Sequence, residues 1–120
     1  MKVVDASVVL EVLLQTPLAG AIEERVFTGE QLHAPHLIDL EVAQVLRRFV
    51  FRGDIQTERG RAALADYADF PIRRYPHDFL LPRIWDFRDN LTAYDATYVA
   101  LAEALDATLL TRDRKLAVAR

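Results

Sequence analysis

Short apolar runs of strand length alternate with longer stretches of helical periodicity along nearly the whole chain, and that alternation limits the available folds more than any other feature. Val3-Val4 reads as a short buried strand, followed by a helix from Ser7 to Leu14 and a second from Pro17 to about Phe27, ended by Gly29. His33-Ala34 is a very short second strand. From His36 to Phe51, Leu37, Ile38, Val42, Val45, Leu46, Phe49 and Val50 recur at helical spacing before Gly53. Thr57 caps a further helix that holds Glu58 and Ala62 to Tyr67. Pro71 to Tyr75 reads as a strand, then a helix runs from about Asp78 to Asp89 with Pro82 in its first turn. Thr92 starts a helix reaching about Leu105, Thr108-Leu109-Leu110 is a β-branched and apolar strand, and Arg112 onward is a last short helix. Strands placed between helices in this way predict a mainly parallel sheet covered on both faces, a three-layer α/β/α domain.

A chain of 120 residues suffices for one compact domain, and residues 1–120 are read as one, without repeats or linker-like tracts. The absence of cysteine excludes a disulfide framework, a Cys-ligated zinc and a thiol nucleophile, and a reducing cytoplasm is the natural setting. Asp5 and Glu11 interrupt the N-terminal apolar run, so neither a secretory signal nor a membrane span is expected. With 15 Lys and Arg against 18 Asp and Glu, the chain lacks the high isoelectric point of a broadly basic nucleic-acid binder. Setting aside Asp5, Glu41, Asp95 and Asp113 leaves the remainder close to neutral, so the excess acidity can be local.

Those four acids are the candidates for chemistry. In open parallel sheets ligands bind at the carboxyl ends of the strands. Asp5 directly follows Val3-Val4, and Asp113 follows Leu109-Leu110-Thr111, which puts both where a strand gives way to a helix. The competing account makes Asp5, Ser7, Thr111 and Asp113 helix N-caps. Asp95 shares a helical face with Tyr98, Val99 and Ala102 and so lies within an apolar stripe, where a carboxylate is costly unless it is paired, hydrogen-bonded or bound to a cation. It also completes a capping box with Thr92, and the two roles are compatible. Glu41 sits on the margin of its helix's apolar face beside Val45, with Gln44 and Arg48 on the same side. Taken alone it reads as an edge residue paired with Arg48 in water.

As a set, the four acids read differently. Carboxylates converging on one crevice repel one another, and a hard divalent cation removes that penalty while taking their oxygens as ligands, with magnesium or manganese the natural choice. Such an ion can bind a phosphate oxygen, acidify a water and stabilise a leaving oxygen, which is phosphodiester hydrolysis without a protein nucleophile. His33 and His36 flank Pro35 with no third ligand near in sequence, so no zinc site is expected, and the four scattered glycines form no phosphate loop. Ser7 reads as a cap or a hydrogen-bonding support, His77 as a helix-start residue, and Trp85 and Phe87 as core or interface.

The runs VVDASVVLEVLL, HLIDLEVAQVLRR, NLTAYDATYVALAEAL and TLLTRDRKLA resemble, in content and order, the PIN-domain ribonucleases of the VapC toxin type. The resemblance covers essentially the whole chain, and YDATYVALAE followed by LLTRD is its most specific part. It implies a parallel-sheet α/β fold and a magnesium- or manganese-dependent endoribonuclease acting on structured RNA. It further implies a homodimer restrained by a small VapB-like antitoxin whose C-terminal segment blocks the site. The acids of the family map onto Asp5, Glu41, Asp95 and Asp113, with Ser7 and Thr111 as supporting hydroxyls. Members commonly continue past the last helix into a further short strand, so a C-terminal sheet edge that is missing or trimmed is expected here. Some carry another acid shortly after the last Asp, where this sequence has Leu116, and a four-acid site follows. Two other readings stay open: a metal-free protein-binding module whose acids are caps, and an aspartate-nucleophile phosphatase using Asp5. The second lacks the expected Asp two residues on, where Ser7 stands.

Overall fold

The structure is a computed structural model that describes residues 1–113. Four strands, β1 (Lys2–Val4), β2 (Leu32–Pro35), β3 (Ile72–Tyr75) and β4 (Thr108–Leu110), form one sheet in the order β3-β2-β1-β4. Every pairing is parallel, with Val3 opposite His33 on one side and Leu109 on the other. The helices are α1 (Ala6–Leu13), α2 (Ala19–Val26), α3 (Leu37–Phe51), α4 (Thr57–Ala68), α5 (Leu81–Asp86) and α6 (Ala93–Ala104).

The layering follows from the handedness of parallel crossovers. From β1 to β2 to β3 the chain steps one way across the sheet, and right-handed connections place α1 to α4 on one face. From β3 it returns past β1 to the opposite edge, which puts α5 and α6 on the other face. α1, α2, α3 and α4 accordingly pack among themselves, and α5 packs on α6. The direction reverses between β1 and β4, and the crevice outside the carboxyl ends of these two strands is the place where such sheets bind ligands.

β1 sits centrally with Val3 and Val4 fully buried, as expected for a strand covered on both faces. α6 runs against β1 and β2, and the segment from Ala96 to Ala102 is buried without interruption, so the middle of this helix is enclosed on all sides. Burial of a side chain such as Leu101 contributes about 1.5–3 kcal/mol. At its end the Ala107 amide donates to the Ala102 carbonyl at 2.8 Å and the Asp106 amide to Glu103 at 3.1 Å. With Asp106 at φ +50° this is the paired C-terminal cap that turns a helix sharply, here straight into β4. At the end of α3, Gly53 takes φ +79°, which glycine adopts without strain.

Three expectations need correction. Thr57 is not a cap but the first helical residue of α4, preceded by Gln56 in an extended conformation. The helix expected from Asp78 to Asp89 is divided: Asp78–Leu80 form a tight 3-10 turn and α5 covers only Leu81–Asp86. Pro82 has no amide to reach the Asp78 carbonyl, which is instead met by the Leu81 amide three residues on. Of the core and interface roles expected for Trp85 the core one is excluded, since it is 66% exposed and Ile84 is the residue this short helix turns inward. Phe87 packs against the core as expected. Leu116 and most of the helix expected after Arg112 lie outside the described residues. Among the described residues no helix is long and apolar enough to cross a membrane.

Candidate active site

Asp5 is the residue at which β1 becomes α1, and its extended backbone, φ −103° and ψ 176°, makes it the N-cap of that helix. The capping account is thus correct for Asp5, and it is incomplete. The side chain is only 6% exposed and collects donors from both sides of the crevice. Oδ1 accepts from the Ser7 hydroxyl at 2.6 Å and from the Val8 amide at 3.3 Å, while Oδ2 accepts from the Thr111 hydroxyl beyond β4. Ser7 Oγ in turn accepts from the Arg112 amide at 3.1 Å, and Thr111 Oγ1 accepts from the Asp113 amide at 2.9 Å. Ser7 lies inside α1 and so does not cap a helix of its own, and it shares the Asp5 carboxylate with Thr111. The two hydroxyls stitch the end of β4 to the end of β1 with the Asp5 carboxylate between them. Burial pushes the Asp5 carboxyl above its ordinary value against the opposing pull of these hydrogen bonds.

Glu41 reaches the same region from α3. Its partner is not Arg48: Oε1 accepts a hydrogen bond from the Tyr98 hydroxyl of α6. Tyr98 is 1% exposed, so a neutral buried phenol meets a half-buried carboxylate across the two helices. Glu41 is raised above its ordinary value, first by burial and then, against the Tyr98 hydrogen bond, by the charges of Asp95 and Asp5. Tyr98 is likewise pushed up, by burial and by the charges of Glu41 and Asp5.

Asp95 lies in the first turn of α6, where Thr92 Oγ1 accepts its amide at 3.1 Å, forming the Thr92 half of the expected capping box. It is partly buried, with the positive end of the helix dipole behind it. Asp113 is exposed, and one link between it and the group runs through Thr111. Glu41 of α3 is thus close enough to Asp95 of α6 and to Asp5 at the end of β1 for their charges to act on it, and Asp113 is tied to Asp5 through Thr111.

Among the described residues no set of three or more His, Asp or Glu side chains is closed around a point as a finished metal cage. Donor chemistry and electrostatics nevertheless fit a hard cation. The converging groups are carboxylates alone, and their mutual repulsion is what a divalent ion relieves. His33 Nδ1 pairs with the Tyr75 hydroxyl at 2.7 Å.

Sequence reasoning did not assign two partnerships here. Tyr98 was visible only as one of the apolar neighbours of Asp95, although a position three residues on along the same helical face was the available signal. Arg112 pairs with Glu11 of α1, which also accepts from the Thr16 hydroxyl, giving a second tie between the β4 end and α1.

The PIN domain family model matches residues 2–120. Ribonuclease VapC9 of Mycobacterium tuberculosis is 46% identical over 116 residues, covering 97% of this chain and 88% of that protein. Ribonuclease VapC1 of the same organism is 42% identical over 118 residues, covering 98% and 89%. Among solved structures, VapC20 of M. tuberculosis, a toxin that cleaves the sarcin-ricin loop, superposes with a TM-score of 0.75 at 16% identity over 99% of this chain and 95% of that one. PAE2754 of Pyrobaculum aerophilum gives a TM-score of 0.71 at 26% identity over 96% and 76%. A four-stranded parallel sheet with acids gathered at its switch point, matched over its full length by this family and these relatives, means that the chain belongs to the PIN-domain family, in its VapC branch.

Proposed function

We propose that this protein is a divalent-metal-dependent endoribonuclease, the toxin of a toxin-antitoxin pair, with Asp5, Glu41, Asp95 and Asp113 as the ligands of Mg2+, for which Mn2+ can substitute. The observation that carries this reading is the gathering of three carboxylates, Glu41 from α3, Asp95 from the first turn of α6 and Asp5 from the end of β1, at one crevice, where burial first and then the charges of Asp95 and Asp5 raise Glu41. The VapC relatives, named as ribonucleases, supply the reaction class.

When bound, the ion supplies Lewis acidity toward a phosphate oxygen and a water acidified enough to attack phosphorus. The chain supplies position. Ser7, Val8 and Thr111 hold both Asp5 oxygens in fixed directions, and Tyr98 holds Glu41 against its own repulsion from Asp95 and Asp5. Ser7 is unsuited to be a nucleophile, since its hydroxyl proton is committed to Asp5 and its oxygen to the Arg112 amide, so water is the attacking group. The RNA substrate and a VapB-like antitoxin place the protein in the cytoplasm, where it works as a homodimer.

The decisive experiment is cleavage of cellular RNA with and without Mg2+ by the wild type and by Asp95→Asn. Cleavage that needs the metal and falls at least a hundredfold in the variant, with an unchanged circular dichroism spectrum, is expected. Wild-type cleavage by Asp95→Asn defeats the assignment. Metal-free binding modules show no Mg2+-dependent stabilisation, and an aspartate-nucleophile phosphatase hydrolyses small phosphomonoesters and leaves RNA intact.

A further inference from the structure

A groove of about 460 Å³ opens directly beside Glu41, lined by Leu37, Leu40, Gln44, Val45 and Arg48 of α3 and by Tyr94 of α6. The α3 residues recur at spacings of three and four and form one stripe leading away from the candidate site. Two of the lining side chains are large, apolar in body and open to solvent, Leu40 at 70% and Tyr94 at 62% exposure. Tyr94 immediately precedes Asp95 and lines the groove together with Glu41. Arg48 also lines it, the most C-terminal of the α3 residues there, and among the described residues its guanidinium makes no ion pair or ring contact.

We infer that this groove is the subsite for the nucleotide next to the scissile phosphate, with Tyr94 as the stacking platform for its base and Arg48 as the contact to the following phosphate. The inference rests on the proposed ribonuclease reading. An RNA strand whose phosphate lies at Glu41 and Asp95 must continue into a neighbouring space, and this groove shares Glu41 as its wall. Single-stranded nucleic acid is held by exposed rings that stack on bases and by cations that follow the backbone, and the groove offers one of each. Leu37, Leu40 and Val45 supply the apolar edge against which a base loses water, and the Gln44 amide can both donate to and accept from a base edge. Among the described residues no other aromatic lines this groove, so the base preference at this position depends on Tyr94.

The test is fluorescence anisotropy of a short single-stranded RNA with EDTA present, followed by cleavage of the same RNA with Mg2+. Tyr94→Ala is expected to weaken binding roughly tenfold and to raise KM more than it lowers kcat, while Tyr94→Phe and Tyr94→Trp keep both near wild type. Arg48→Ala is expected to weaken binding at low salt and to reduce the dependence of log affinity on log salt by about one phosphate contact. Unchanged affinity, KM and cut positions in Tyr94→Ala overturn the subsite and leave the ribonuclease reading standing. RNA bound through Tyr94 but never cleaved by the wild type overturns the ribonuclease reading and leaves the subsite standing. Should Tyr94→Ala instead dissociate a dimer in sedimentation while RNA affinity holds, the groove covers a second copy of the chain and the subsite is wrong.

Discussion

The Tyr98 hydroxyl of α6 donates to Glu41 Oε1 of α3, so the orientation of a candidate metal ligand is set by a phenol on a different helix. Groups that hold a ligand in place typically matter tenfold to a hundredfold to metal affinity or activity.

Tyr98→Phe keeps the buried ring and removes only this donor. The variant should fold, lose about 1 kcal/mol or less of stability, and cleave RNA ten- to a hundredfold more slowly. In a Glu41→Gln background the same change should have little further effect on Mn2+ affinity measured by calorimetry. An equal additional loss there would mean that Tyr98 acts through general packing.

Without divalent cations, the raised Asp5 and Glu41 carboxyls make the folded state hold protons more tightly than the unfolded chain does. Their contribution is fully present below the ordinary values of 3.8 and 4.5 and is lost as pH rises through the higher folded values. Urea unfolding in EDTA should therefore show Glu41→Gln gaining on the wild type as pH is raised from about 5 to about 7.5, and saturating Mn2+ should reverse that advantage. Parallel pH curves for the two proteins would refute the assignment of repulsion to Glu41.

Asp39 has the opposite sign. Burial works against its charge, but hydrogen bonds at 2.6 Å from the Tyr67 hydroxyl and from Arg74 Nε prevail and hold it below 3.8. Its contribution is present above that ordinary value and disappears as pH falls through the lower folded one. Asp39→Asn should cost about 1 kcal/mol or less, since the pair is partly exposed, and should make the protein less resistant to acid while RNA cleavage stays near wild type.

Thr111→Val removes the donor to Asp5 Oδ2 and the acceptor of the Asp113 amide at nearly constant volume. Leaving a buried carboxylate oxygen without its partner should cost about 1–3 kcal/mol, read as a lower urea midpoint with an unchanged m value. Thr111→Ser retains the hydroxyl and should recover most of it.

The strand-helix alternation, the position of Asp5 at a strand end, the Thr92 cap and the apolar spacing of α3 were all legible because each depends on neighbours within about two helical turns. The end of α6 near Leu105 was legible as well, although Asp106 rather than a glycine adopts the left-handed turn there. Pro82 announced a helix start, yet the tight turn that its missing amide imposes on Asp78–Leu80 could be seen only in the backbone.

The sequence by itself determined that this chain makes parallel strands buried between helices and that acids follow two of those strands, because periodicity and strand-end position are local properties. The tertiary structure decided the rest: β4 joins the sheet beside β1, Thr111 meets Asp5, Glu41 takes Tyr98 rather than Arg48, and Trp85 faces solvent. Those pairings join residues up to 106 positions apart. They follow from crossover handedness and helix packing, to which no short window of sequence has access.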